Sequence, residues 1–175
     1  MHKIPYGRGE MSFEVPVGMK FDVAEPSPYP ALPDLADAVR EALNSPLGTG
    51  PLRSLAGPTS KVCIVITDIT RACPDEALVG PMLTELEVAG VPDEQITILV
   101  AVGMHRASTD EEKVEKLGER IVARYNVVDH DAEDPEALVD LGLTASGVPI
   151  TFNRIAFDAD LLIATGIVEP HQYAG

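Results

Sequence analysis

Lys61-Val62-Cys63-Ile64-Val65-Ile66-Thr67 decides the fold: a short apolar run, rich in β-branched side chains and bounded by polar residues. Such a run has no alternation of polar and apolar positions, so it reads as a strand buried on both faces, the kind found in parallel sheets. A polar loop from Asp68 to Pro74 follows. Leu78/Val79, Met82/Leu83 and Leu86 then recur at helical spacing up to Gly90. Pro81 falls within this stretch, so the helix either starts there or is kinked there.

The same unit repeats downstream. Gln95–Val102 is a second buried strand, ending in Gly103-Met104-His105-Arg106. Thr109 and Glu112 form a capping box opening a helix that carries Val114 and Leu117 and pauses at Gly118. Tyr125–Val128 reads as a third strand ending at His130, and Asp134-Pro135 as the cap of a short helix through Leu141. Val148–Phe152 and Leu161–Thr165 read as strands, the latter leading into Gly166-Ile167-Val168-Glu169-Pro170-His171. The alternation predicts an α/β fold with a mostly parallel sheet flanked by helices on both faces.

Upstream, Met11, Phe13 and Val15 alternate with polar residues at strand period, giving an N-terminal strand or hairpin region. Leu35, Val39 and Leu43 fit a helix with Pro33 in its first turn. Ser45–Pro58 is a loop rich in Gly and Pro. Residues 1–60 are expected to be a lead-in packed on the core, within one domain spanning 1–175.

The chain has 175 residues, 45% hydrophobic and 23% charged, enough for a sizeable core. No apolar run reaches the length of a membrane span, and the N-terminus lacks the apolar stretch of a secretory signal. The net charge of −15 argues against nucleic-acid or anionic-membrane partners. An anionic ligand would need a local cation to overcome that field. The two cysteines, Cys63 and Cys73, are too few for a disulfide framework, and the expected setting is cytoplasmic with reduced thiols.

Polar residues collect downstream of the strands. Asp68 and Arg71 follow the first buried strand, His105 and Arg106 the second, His130 the third, Glu169 and His171 the last. Parallel strands would gather these at one edge, where ligands bind in open α/β sheets. Two chemistries suit such a rim. One is acid–base work by histidines with an arginine clamping a carboxylate. The other is metal binding by His105, His130, His171 and a carboxylate, for which the sequence separations show no ligand spacing. Glu111, Glu112, Lys113, Glu115 and Lys116 read as a solvated helix face. The chain carries no dinucleotide, P-loop, nucleophile-elbow or HExxH motif.

Thr67-Asp68-Ile69-Thr70-Arg71-Ala72-Cys73-Pro74 resembles the Ser/Thr-Asp-x-Thr-Arg-x-x-Pro loop of the lactate racemase family. Gly103-Met104-His105-Arg106 resembles its Gly-x-His-Arg loop, and His130-Asp131 its His-Asp pair. Gly166 to Gly175 resembles its Gly-x-Ile/Val-x-Pro-His-x-x-x-Gly loop, and Pro5-Tyr6-Gly7 also fits. The motifs occur in the family's order over nearly the whole chain.

The resemblance implies the N-terminal domain of a two-domain racemase or epimerase of a small, lactate-like 2-hydroxy acid. It implies a nickel-pincer nucleotide cofactor and proton-coupled hydride transfer, with His105 and His171 as the two catalytic bases. Asp68, Thr70, Arg71, Arg106, Glu169 and His130 become substrate- or cofactor-binding candidates. Asp68 would orient Arg71 or contact the cofactor, and Arg71 would hold the substrate carboxylate or a cofactor phosphate. In the family a lysine that joins the cofactor and a nickel-ligating histidine lie beyond the position of Gly175. No metal ligand and no bound cofactor are therefore expected in this chain, and the isolated chain is expected to be inactive. The implied partners are the C-terminal domain and cofactor-biosynthesis proteins. The alternatives are other hydride or dehydration chemistry on this scaffold, or a non-catalytic binding module.

Overall fold

The computed structural model describes residues 1–7, 9–24 and 27–169. The chain divides into two units, Met1–Ala31 and Leu32–Gly175. In the first unit, β1 (His2–Tyr6) and β2 (Gly9–Phe13) form an antiparallel hairpin. His2, Phe13 and Phe21 cluster there, with the His2 and Phe21 rings 4.6 Å apart.

The second unit is built on a four-stranded, all-parallel sheet. Its strands are β3 (Val62–Thr67), β4 (Ile96–Ala101), β5 (Asn126–Asp129) and β8 (Leu161–Ala164), in the order β5-β4-β3-β8. This is the α/β class expected from the alternating pattern. The sheet grows outward from β3 in both directions, so the strand order reverses between β3 and β8.

The period of two in β3 and β4 separates two cores. Val62, Ile64 and Ile66, with Ile96, Ile98 and Val100, face the larger one. Against them pack Val79, Leu83 and Leu86 of α2 (Asp75–Val88), Leu117 of α3 (Asp110–Leu117), Ile121 of α4 (Glu119–Arg124), and Tyr125. Each fully buried side chain of this size contributes about 1.5–3 kcal/mol. The opposite face is thinner. Cys63, Leu99 and Ala156 form its core, and Ala156 comes from α5 (Arg154–Phe157), a single turn.

The remaining helix, α1 (Leu35–Asn44), packs on α2. Its cap is Asp34, which accepts from the Asp37 amide, so Pro33 precedes the helix rather than entering its first turn. α2 begins at Asp75 and passes through Pro81, which settles the reading of that proline: the helix does not start there. The capping box of Thr109 and Glu112 forms at the head of α3, and Gly118 separates α3 from α4.

One element differs from expectation. Asp134 caps only a 3-10 turn, Pro135–Ala137, and the chain then extends as β6 (Leu138–Leu143) instead of continuing as a helix. β6 pairs antiparallel with β7 (Pro149–Asn153) in a separate hairpin. The closing turn decides this. Gly147 takes a φ of 81°, the Thr144 amide donates to the Val148 carbonyl at 2.8 Å, and the Val148 amide donates to Thr144 Oγ1 at 3.0 Å. Cross-strand pairing then outweighs the helical reading of Pro135–Leu141. No helix among the described residues is long and apolar enough to cross a membrane.

Candidate functional site

The carboxyl ends of the parallel strands carry Asp68, Thr70 and Arg71 after β3, His105 and Arg106 after β4, His130 after β5 and Glu169 after β8. Past β3, the chain turns through an Arg71 amide donating to the Asp68 carbonyl at 3.1 Å. Past β4, Gly103 adopts a φ of 59°, open to glycine at no steric cost, and the His105 amide closes the turn onto the Val102 carbonyl at 2.9 Å. These two turns bring Asp68 and His105 together.

Asp68 is buried, whereas the His105 side chain is 55% exposed. Asp68 Oδ2 lies 2.6 Å from His105 Nδ1, and Asp68 Oδ1 accepts from Thr70 Oγ1 at 2.7 Å. Burial works to raise the Asp68 pKa. The hydrogen bonds from His105 and Thr70 and the positive charge of His105 and Arg71 outweigh it, leaving the carboxyl below the ordinary aspartate value. An ionised carboxylate only accepts, so Nδ1 carries the proton in this pair. Whenever the ring is neutral, Nε2 is then the lone-pair nitrogen, on a side chain that reaches solvent. This is the arrangement of an oriented general base.

Arg71 Nη1 donates to Glu169 Oε1 at 2.7 Å, joining the β3 and β8 loops where the strand order reverses. Arg106 makes a two-pronged pair with Glu112, at 2.7 and 2.6 Å, which places it against the head of α3. Arg106 raises no barrier to ionisation of Glu112, whose pKa is pulled down to about 2 by that guanidinium and by the Thr109 amide. His130 Nδ1 lies 3.0 Å from Asn153 Nδ2, and the His130 amide donates to the Val100 carbonyl at 2.9 Å. His105 and His130 both line a cleft of about 460 Å³, with Arg106 and Asp129. A smaller opening of about 280 Å³ lies between Asp68, Thr70, His105 and Arg106. A third, about 540 Å³, is lined by Arg71, Glu76 and Lys116 among others. His171 lies outside the described residues. The described residues contain no group of three or more His, Cys, Asp and Glu side chains placed to hold a metal ion.

Several polar contacts at this edge were not legible in the sequence. Lys113 and Lys116 do not sit on a solvated face. Lys113 pairs with Asp129 at 2.8 Å, and buried Lys116 pairs with buried Asp75 at 2.5 Å. Ser108 Oγ donates to Asp129 at 2.6 Å, and Asn153 reaches His130. Helical spacing carries a signal for Lys113 alone, which stands four residues before buried Leu117 and so shares its side of the helix.

The lactate racemase N-terminal domain family model matches residues 6–175. The lactate racemase of Thermoanaerobacterium thermosaccharolyticum is 32% identical over 175 residues, covering 99% of this chain and 41% of the relative. That of Lactiplantibacillus plantarum is 38% identical over 139 residues, covering 79% of this chain and 32% of the relative. The chain thus spans less than half the length of these curated relatives. The solved structure of the T. thermosaccharolyticum lactate racemase apoprotein superposes with a TM-score of 0.78 at 31% identity, covering 97% of this chain and 39% of that one. A Thermotoga maritima protein superposes with a TM-score of 0.55 at 26% identity, over 74% of this chain and 32% of that one. With its fold, its loop motifs and this match over almost its entire length in agreement, the chain belongs to the lactate racemase N-terminal domain family.

Proposed function

We propose that this chain is the proton-transfer domain of a racemase acting on a small, lactate-like 2-hydroxy acid with a nickel-pincer nucleotide, His105 and His171 being its two bases. The observation that carries the reading is the 2.6 Å contact of buried Asp68 with His105 Nδ1 at the carboxyl edge of the sheet. A base that must return its proton needs a fixed tautomer and a neighbour that stabilises its charged form, and Asp68 supplies both.

The 540 Å³ cleft beside Arg71 is also lined by Asp75, Glu76 and Glu115, so this chain would offer an anionic cofactor few cationic contacts, and the reading places its hold chiefly in the C-terminal domain. When bound, that group supplies reversible acceptance of the substrate's α-hydrogen as hydride.

This chain's residues do the rest. His105 Nε2 takes the hydroxyl proton of one enantiomer while Asp68 stabilises the imidazolium through Nδ1. Arg71 holds the substrate carboxylate through its planar fork. His171, assigned by its Pro-His motif, serves the other enantiomer. Thr70 fixes Asp68, and Arg106, Glu169 and His130 shape the surroundings. The C-terminal domain and cofactor-biosynthesis proteins are the partners this reading requires.

The test is interconversion of D- and L-lactate, followed by chiral separation. The 175-residue chain alone is expected to leave both enantiomers unchanged. The chain continued by the further length its relatives possess, and loaded with cofactor, is expected to interconvert them. His105→Ala and His171→Ala should each lower kcat by about 10²–10⁴-fold. Racemisation at the parent rate by His105→Ala would overturn the assignment.

A further inference from the structure

Lys116 is buried, and its ammonium is surrounded by acceptors. It lies 2.5 Å from Asp75 Oδ2 and donates to Thr67 Oγ1 at 3.0 Å, to the Arg71 carbonyl at 3.1 Å and to the Cys73 carbonyl at 3.3 Å. Asp75, only 1% exposed, is equally well supplied. Thr67 Oγ1 donates to its Oδ2 at 3.0 Å, and Thr165 Oγ1 donates to its Oδ1 at 2.9 Å.

A buried ion pair is a poor device for stability alone. Desolvation offsets most of the attraction, and apolar side chains of like volume often fold as well. What apolar side chains cannot do is grip peptide carbonyls. Lys116, on α3, holds two carbonyls of the loop that joins β3 to α2. Asp75, at the head of α2, holds a hydroxyl at the end of β3 and another just past β8. One pair therefore ties together the two chain segments that leave the sheet on either side of its point of reversal.

We propose that Lys116 and Asp75 are positioning residues, a clasp that fixes the Asp68–Pro74 loop against the exit of β8. That loop presents Asp68 to His105 and Arg71 to Glu169. The β8 exit leads in sequence to Glu169 and His171. The inference rests on the racemase reading for its catalytic consequence, while the clasp itself has a physical readout that does not depend on it.

The test uses Thr165→Val, which keeps the volume and removes the hydroxyl, and Thr165→Ser, which retains it. The double variant Lys116→Met/Asp75→Asn removes the charge pair without leaving either charge alone. Amide hydrogen exchange of the 175-residue chain reads the loop directly, the Arg71 amide being bonded to the Asp68 carbonyl. Thr165→Val and the double variant are expected to speed exchange of the Arg71 amide by about tenfold to a hundredfold, with β3 and β4 amides unchanged. Thr165→Ser is expected to restore the slow rate. In the cofactor-loaded protein, kcat should fall in Thr165→Val and recover in Thr165→Ser. Loop exchange at the parent rate in both Thr165→Val and the double variant would overturn the clasp. So would a rise in which β3 and β4 amides accelerate alongside the loop, which marks general loosening. Faster loop exchange in these variants, together with a cofactor-loaded parent protein that never racemises lactate, would leave the clasp standing and sink the racemase reading instead.

Discussion

Replacing Asp68 with alanine should move a proton within the His105 ring. In the parent protein the Asp68 carboxylate accepts from Nδ1 at 2.6 Å, and such charge-assisted bonds contribute about 1.5–3 kcal/mol when shielded. The His105 side chain is 55% exposed, so water competes and the lower end applies. At about 1.4 kcal/mol per tenfold, the Nδ1–H tautomer is favoured roughly tenfold over its share in a free imidazole. Asp68→Ala removes that preference. Long-range proton–nitrogen correlation spectra of histidine-labelled protein, recorded near pH 8.5 and so above the ordinary imidazole range of about 6.5, resolve the two tautomers. A His105→Gln spectrum identifies the resonance. On the catalytic side, the tautomer shift accounts for about tenfold in kcat. Loss of the carboxylate beside the imidazolium adds about one or two further decades, from a Coulomb term of about 1.4–3 kcal/mol at a partly solvated site. The total is about 10²–10³. A His105 ring with the same tautomer pattern in Asp68→Ala as in the parent would refute the reasoning, whatever the activity.

Two further outcomes concern stability. Asp68 and Asp129 are both held below the ordinary aspartate value. In each case burial pushes upward and is outweighed, for Asp129 by Lys113 and Ser108. Folding therefore binds these protons less tightly than the unfolded chain does. The stability they contribute is complete above about pH 4 and is lost as pH falls through their lowered native values. Urea midpoints measured downward from neutral pH should fall in that acid window, and a midpoint that rises there would contradict the assignment. Ile64→Ala, at the fully buried centre of β3, should cost about 2–5 kcal/mol in urea unfolding; a cost below about 1 kcal/mol would show that the sheet is not packed as described.

The parallel sheet could be read from sequence because β3 and β4 are buried on both faces, and continuous β-branched runs have few other places to go. The rim could be read for the same reason: polar residues placed straight after such strands share one edge once the strands run parallel. The hairpin of β6 and β7 was misread because its pairing is non-local. Pro135–Leu141 carries helical spacing, and only the Thr144–Gly147 turn, which brings Val148 back alongside, overrides it. Lys116 was misread for a different reason. Charge predicts exposure, and the acceptors that make burial of this ammonium tolerable lie more than forty residues away in the chain, at Thr67, Arg71, Cys73 and Asp75. Local sequence cannot show a partner that only the fold supplies.

The charge of the chain sharpens the role of Arg71. At a net −15, the 175-residue chain repels an anion such as the 2-hydroxy acid proposed above as substrate. Binding must be won locally, and the cations at the edge of the sheet are not equally available. Lys116 is buried in its clasp, Lys113 is largely buried against Asp129, and Arg106 is held at two points by Glu112. Arg71 is bound to Glu169 through a single hydrogen bond, with the two side chains 39% and 42% exposed. Exchanging Glu169 for a substrate carboxylate swaps one carboxylate for another at the same guanidinium, so little electrostatic energy is lost, and the unused prongs of the fork gain partners. The same exchange at Arg106 would break two bonds to Glu112, the carboxylate that also completes the α3 capping box. Of these four cations, Arg71 is the one that a carboxylate can take without unravelling the structure around it.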